Sequence, residues 1–143
     1  MLSSWFQSRL PRLAAAFVLV LGMTAAGCTE SPSEPDRPVD VTLTLAPGQS
    51  QGVTGTPLSI RFVGVTGDSR CPADAFCVLG GSATVAFEVS LGAAAQRVEL
   101  QTGDNRPATY DRFTLSLVEL SPYPFSARPI SPDEYRVRIR ITG

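Results

Sequence analysis

Residues 82–91 read Ser-Ala-Thr-Val-Ala-Phe-Glu-Val-Ser-Leu, and this alternation decides the fold class. Ala83, Val85, Phe87, Val89 and Leu91 fall on one face, with Ser82, Thr84, Glu88 and Ser90 opposite. That is the period of a strand with one buried face. The same period recurs along the chain. Val39, Val41, Leu43 and Leu45 alternate with Asp40, Thr42 and Thr44. Leu58, Ile60 and Phe62 alternate with Ser59 and Arg61, residues 97–101 alternate again, and Phe113, Leu115 and Leu117 alternate with Arg112, Thr114 and Ser116. Tyr135, Val137, Ile139 and Ile141 close the series, and residues 51–55 are a further short candidate. Val63 and Val65 join their strand from its other face, which predicts cover on both sides there. Val118 and Leu120 break phase, which predicts a bulge or an edge.

Turn signals separate these runs. Ala46-Pro47-Gly48-Gln49 suits a type II turn, and Gly92 and Gly103-Asp104-Asn105 mark two more. No stretch of residues 39–143 has a convincing 3.6-residue apolar period. About seven short strands predict an all-β domain: an antiparallel β-sandwich of Ig-like or jelly-roll type, with an open barrel as the alternative. The pattern leaves strand order open. Shared phase places Val85, Phe87, Val89, Phe113, Leu115, Val137 and Ile139 in one core.

Between two of the strands lies Asp68-Ser-Arg-Cys-Pro-Ala-Asp-Ala-Phe-Cys-Val-Leu-Gly-Gly81. In an exported chain, Cys71 and Cys77 are expected to close a small disulfide loop. A ring this short contributes roughly 2 kcal/mol by chain entropy, so it shapes a turn more than it holds a fold. Pro72 fixes φ, Asp68 and Ser69 suit local backbone bonds, and Gly80 and Gly81 permit a bend or a close backbone approach. The spacing fits neither a zinc site nor a C-x-x-C redox pair. Asp68 and Asp74 are too few oxygens to mark a calcium site, so no metal is expected.

The string D-S-R-C-P, followed by a second Cys and a Gly, resembles a group of small bacterial envelope lipoproteins of β-rich type. In those proteins a Trp often precedes the Gly; this chain has Leu79 there. The resemblance implies class and location, and brings no established activity with it.

The N-terminal segment supports the same location. Arg9 and Arg12 form a positive n-region, residues 13–26 an apolar run of h-region length, and Ala25-Ala26-Gly27-Cys28 a lipobox-like ending. Residues 1–27 are therefore expected to be a lipoprotein signal peptide, with Cys28 diacylated as the mature N-terminus. The alternative is plain secretion with a free Cys28. Residues 28–38 hold the lipidated Cys and a Pro-rich linker that is too polar to bury a core and has a reach of roughly 30 Å. Residues 39–143 form the β-domain. Thr29 after the Cys favours the outer membrane by known sorting rules.

The 12 basic residues are all Arg, and two of them precede Cys28, leaving 10 against 13 acids, formally −3. That balance carries no electrostatic footprint for nucleic acid. The chain has no His and no Lys, which removes Ser-His-Asp, Cys-His and Schiff-base chemistry along with imidazole metal ligands. No catalytic residue and no cofactor are expected. A carbohydrate-active enzyme would need a deep pocket with paired acids. Two features are candidates for binding an unknown protein or glycan. Residues 121–134 are a long connection with four prolines, in which Tyr123, Phe125 and Arg128 form a possible platform, unless the rings and Ile130 fold back over the sandwich as a lid. Arg136, Arg138 and Arg140 share a face and form a possible anion site, unless acids such as Glu88 or Glu99 neutralise them. The reading is a non-enzymatic, lipid-anchored envelope domain. Its runner-up is a protease-inhibitor-like Ig module, favoured if the Cys loop and the Pro-rich loop share one end.

Lipid attachment at Cys28 predicts palmitate labelling and membrane fractionation of the wild-type chain, both lost in Cys28→Ser. Wild-type protein wholly soluble and unacylated by mass would leave plain secretion instead.

Overall fold

The computed structural model describes residues 37–143 apart from Asn105. The expected signal peptide, Cys28 and most of the expected linker lie outside the described residues. The described part is an all-β sandwich of two four-stranded antiparallel sheets. Its strands are β1 (Asp40–Leu45), β2 (Ser50–Gly52), β3 (Leu58–Asp68), β4 (Ala83–Leu91), β5 (Ala94–Gln101), β6 (Ala108–Tyr110), β7 (Phe113–Ser121) and β8 (Arg136–Thr142).

One sheet has the order β1-β8-β7-β6 and the other β2-β3-β4-β5. The chain thus makes β1, crosses over, runs a four-strand meander, and returns to build a three-strand meander whose last strand pairs with the first. Eight strands replace the expected seven or so. The addition is β6, whose three residues are too short to show a period. It is closed onto β7 by a two-residue loop with Asp111 at φ 54°. Residues 97–101 are also only part of β5. Gly92 at φ 62° makes a tight two-residue turn to Ala94, so the strand begins there. Gly48, at φ 78°, stands at the third position of the type II turn, with Gln49 N–H donating to Ala46 C=O at 3.0 Å.

Every residue expected in the core is fully buried: Val85, Phe87, Val89, Phe113, Leu115, Val137 and Ile139. Leu45, Leu58, Ile60, Phe62 and Ile141 join them, with the Phe62 and Phe87 rings 5.8 Å apart. Alternation fails at one end of the sandwich, where three bulges fall. Strand β3 shifts register between Phe62 and Gly64 and again between Val65 and Gly67; β7 shifts between Leu117 and Glu119. Val63 keeps the outward place that alternation gives it and is exposed, while the first bulge moves Val65 inward, opposite buried Val85. The expected outer cover is missing at Val63, though Ala86 opposite Gly64 is buried, and the phase change at Val65 has a bulge as its cause. The second bulge restores the phase and sets Asp68 opposite buried Ala83. The β7 bulge exposes Val118 and turns Leu120 inward, as its broken phase predicted.

Phe87→Ala should lower unfolding free energy by about 3–5 kcal/mol, the range for deleting a buried ring, as measured by chemical denaturation. A loss below about 1 kcal/mol would contradict this core.

Candidate functional site: a stapled apolar tip

The bulged end of the sandwich carries both loops that the sequence singles out, and they touch. The Cys loop leaves β3 and returns to β4. Cys71 and Cys77 are bonded, with Cα atoms 5.9 Å apart, inside the range a disulfide needs. Its neck is closed by Ser69, whose N–H and Oγ both donate to Ser82 C=O at 2.9 Å while Ser82 N–H donates back to Ser69 Oγ at 3.2 Å. Gly81 lies against this clasp. A Cβ there would sit 1.6 Å from Ser69 C=O, so no larger residue fits without opening the neck.

Arg70 joins the Cys loop to the Pro-rich loop. Its guanidinium forks onto Asp68, Nε to Oδ1 at 2.9 Å and Nη2 to Oδ2 at 2.6 Å. It also donates to Leu120 C=O at 2.8 Å and Pro122 C=O at 3.0 Å. Tyr135 closes the group by donating its hydroxyl to Asp68 Oδ2 at 3.0 Å. Arg70 is 8% exposed, and its guanidinium carbon stands 5.2 Å from the Tyr123 ring centroid, a cation–π distance. Among the described residues no buried side-chain polar atom lacks a partner, which is the condition for a buried charge to be tolerated. Burial pushes the Asp68 carboxyl up, but the Arg70 and Tyr135 hydrogen bonds outweigh it and hold it below the usual range. Burial, then the bond to Asp68, pushes the Tyr135 phenol up.

Two more bonds fasten the loops outside this network. Ala73 N–H donates to Pro124 C=O at 2.9 Å, and Ser126 N–H to Asp74 Oδ1 at 2.8 Å. The Ser126 bond holds the Asp74 carboxyl below its usual range. Asp68 and Asp74 therefore serve different partners and do not converge. Among the described residues there is no cluster of three metal-ligating side chains. Phe125 and Arg128 close a tight turn, and the Arg128 guanidinium pairs with Glu134, which caps the short 3₁₀ turn Pro132–Glu134.

What this framework presents is apolar. Phe76 is 97% exposed, Val78 92% and Leu79 84%. On the neighbouring loop Tyr123 and Phe125 are about half exposed, while Ile130 packs against the core. The lid expectation thus holds for Ile130 and not for the two rings. Phe76, Val78 and Leu79 were not singled out as binding residues; the signal available was three large apolar side chains in a loop tied at both ends. Beside the tip, an open cleft of about 260 Å³ is lined by Arg70, Asp104, Glu119 and Tyr123 among others.

The three arginines of β8 are brought onto one face, and each is engaged. Arg138 meets Glu119 at 3.0 Å, Arg140 forks onto Asp40 at 2.8 and 2.6 Å, and Arg136 donates to the carbonyls of Asp133 and Tyr135. The neutralising acids are Glu119 and Asp40 rather than Glu88 or Glu99, which belong to the other sheet. The fold and the site together define a β-sandwich domain with a disulfide-stapled apolar tip. No protein-family model, curated protein or solved structure matches the chain.

Arg70→Ala would leave Asp68 with only the backbone N–H of residue 70 and the Tyr135 hydroxyl, and would unpair the carbonyls of Leu120 and Pro122, so a loss of roughly 1.5–3 kcal/mol is expected on denaturation. Because the folded-state value of Asp68 is depressed, its contribution is complete above the ordinary carboxylate range and is lost as pH falls through that folded value. Arg70→Ala should accordingly flatten the acid side of the stability–pH curve. A variant with wild-type stability and the wild-type acid slope would contradict this role.

Proposed function

We propose that this protein is a non-enzymatic, lipid-anchored domain of the bacterial cell envelope that binds a partner protein through the tip formed by the Cys loop and the Pro-rich loop. One observation carries the reading: the two loops are locked together at one end of the sandwich, with Phe76, Val78 and Leu79 held out in water. Three large apolar side chains held in water within four residues of one loop are costly in a free domain, and exposed apolar groups concentrated in this way mark interaction sites. The staple, the prolines and the cross-loop bonds remove ordering cost before contact, which is where rigid binding loops gain affinity.

The anchor reading rests on the Cys28 motif and its resemblance to envelope lipoproteins. The geometry is compatible with it. Asp40, where the chain enters the sandwich, pairs with Thr142 at the far end of β8 from Arg136, so the tip lies at the end opposite the entry.

The protease-inhibitor-like reading is a narrower form of the same proposal, and the shared end of the two loops favours it. A constrained loop with a protruding Phe76 suits insertion into a cleft. A carbohydrate-active role has less support, because Asp104 and Glu119, the acids lining the cleft, each have an arginine partner, Arg106 and Arg138.

A photo-crosslinking residue at position 76 should capture one envelope protein in intact cells, and Val78→Asp in the same chain should abolish that product without lowering the melting temperature. A control crosslinker at Thr42, on the outer face of β1, should not capture it. Equal capture from positions 76 and 42, or capture that survives Val78→Asp, would overturn the reading.

A further inference from the structure

The second sheet ends on β5, and that edge is long and open. Thr102 N–H donates to Ala83 C=O at 2.9 Å, which fixes the parity of the strand. The backbone groups of Ala94, Gln96, Val98 and Leu100 face β4, and those of Ala95, Arg97, Glu99 and Gln101 point out of the sheet. Among the described residues these outward groups have no backbone partner. Tyr110 reaches only the Ala94 end, with its hydroxyl 3.3 Å from Ala94 C=O. The other edges offer less: β2 and β6 have three residues each, and β1 carries Asp40, Thr42 and Thr44 with no cation.

Charge on the outer face of this sheet runs in a row. Arg61 stands opposite Glu88, and Glu88 opposite Arg97. The signs alternate across three strands and the row stops at the edge on a cation. Arg97 touches Glu99 of its own strand only at 3.4 Å, with both side chains half exposed, a weak contact.

We propose that β5 pairs with β5 of a second copy of this chain, antiparallel about a two-fold axis at Val98. The segment Arg97-Val98-Glu99 is self-complementary in that register. Arg97 of each copy stands directly opposite Glu99 of the other, and Ala95 opposite Gln101. The charge row then continues, with Glu99 of the second copy next after Arg97. The outward N–H and C=O groups of residues 95, 97, 99 and 101 meet their counterparts in closely spaced hydrogen-bonded pairs, and the two sheets become one of eight strands. The pairing closes an edge that would otherwise template any passing strand. It sends the two tips to opposite ends, so the dimer presents two of them. It does not depend on what the tip binds.

Sedimentation equilibrium of the full chain in density-matched detergent tests this directly. The wild type should form dimers. Arg97→Glu puts like charges opposite each other twice and should weaken dimerisation by about tenfold or more. The charge-swapped double variant Arg97→Glu/Glu99→Arg restores opposite pairs and should recover wild-type dimerisation. Hydrogen exchange supplies a second readout: the Arg97 and Glu99 amides should be protected in concentrated wild type and exchange freely on dilution. A wild type that stays monomeric at about 1 mM, a dimer indifferent to Arg97→Glu, or a double variant that stays as weak as the single would each overturn the proposal.

Discussion

The tip of this molecule depends on one ion pair, between buried Arg70 and partly buried Asp68. Arg70 and Asp68 lie two residues apart at the end of β3, and a fork between them satisfies both charges before either meets the rest of the fold. Arg70 still has donors left, and it spends them on Leu120 and Pro122, fifty residues on. One carbonyl near the end of β7 and one near the start of the Pro-rich loop are thus fixed by a residue belonging to the Cys loop. Lysine could not substitute, because a single ammonium lacks the planar fork that reaches a carboxylate and two carbonyls together. The disulfide is the smaller device. It rounds the loop, whereas Arg70 decides where the loop sits.

The Asp-Ser-Arg string has a physical reading residue by residue. Asp68 faces inward opposite Ala83 because two bulges in β3 cancel in phase. Ser69 faces the returning chain and clasps Ser82, which is possible only because Gly81 has no side chain. Arg70 turns back toward β7. The three bulges, in β3 and β7, all fall at this end, where strands are bent to carry loops and are no longer held to a regular ladder. The charged face of β8 is the contrasting case. There the arginines meet acids or carbonyls and make an ordinary solvated surface.

Much of the sandwich was legible in the chain because burial of one face imposes a period of two, and Phe87, Phe113 and Val137 follow it without exception. What was not legible has particular causes. Strand β6 is three residues long and shows no period. Val63 and Val65 together read as a second buried face unless the bulge that moves Val65 inward is known. The partners of Arg138 and Arg140 depend on strand order, which places β8 between β7 and β1. The site was legible only in part. The Cys loop and the Pro-rich loop stood out by composition, and Tyr123 and Phe125 were marked, but their joining is a contact between residues about fifty positions apart. Arg70 looks like any surface arginine until Leu120, Pro122 and Tyr135 are placed around it.

The central claim is that the two loops form one rigid tip fastened to the sandwich through Arg70. Backbone ¹⁵N relaxation at Ala73, Ala75 and Ser126 tests it most directly. Order parameters near the strand value of about 0.85 are expected in the wild type, falling at all three sites together in Arg70→Ala. Values below about 0.6 at these sites in the wild type, with the disulfide intact, would contradict it: the loops would then be mobile and separate.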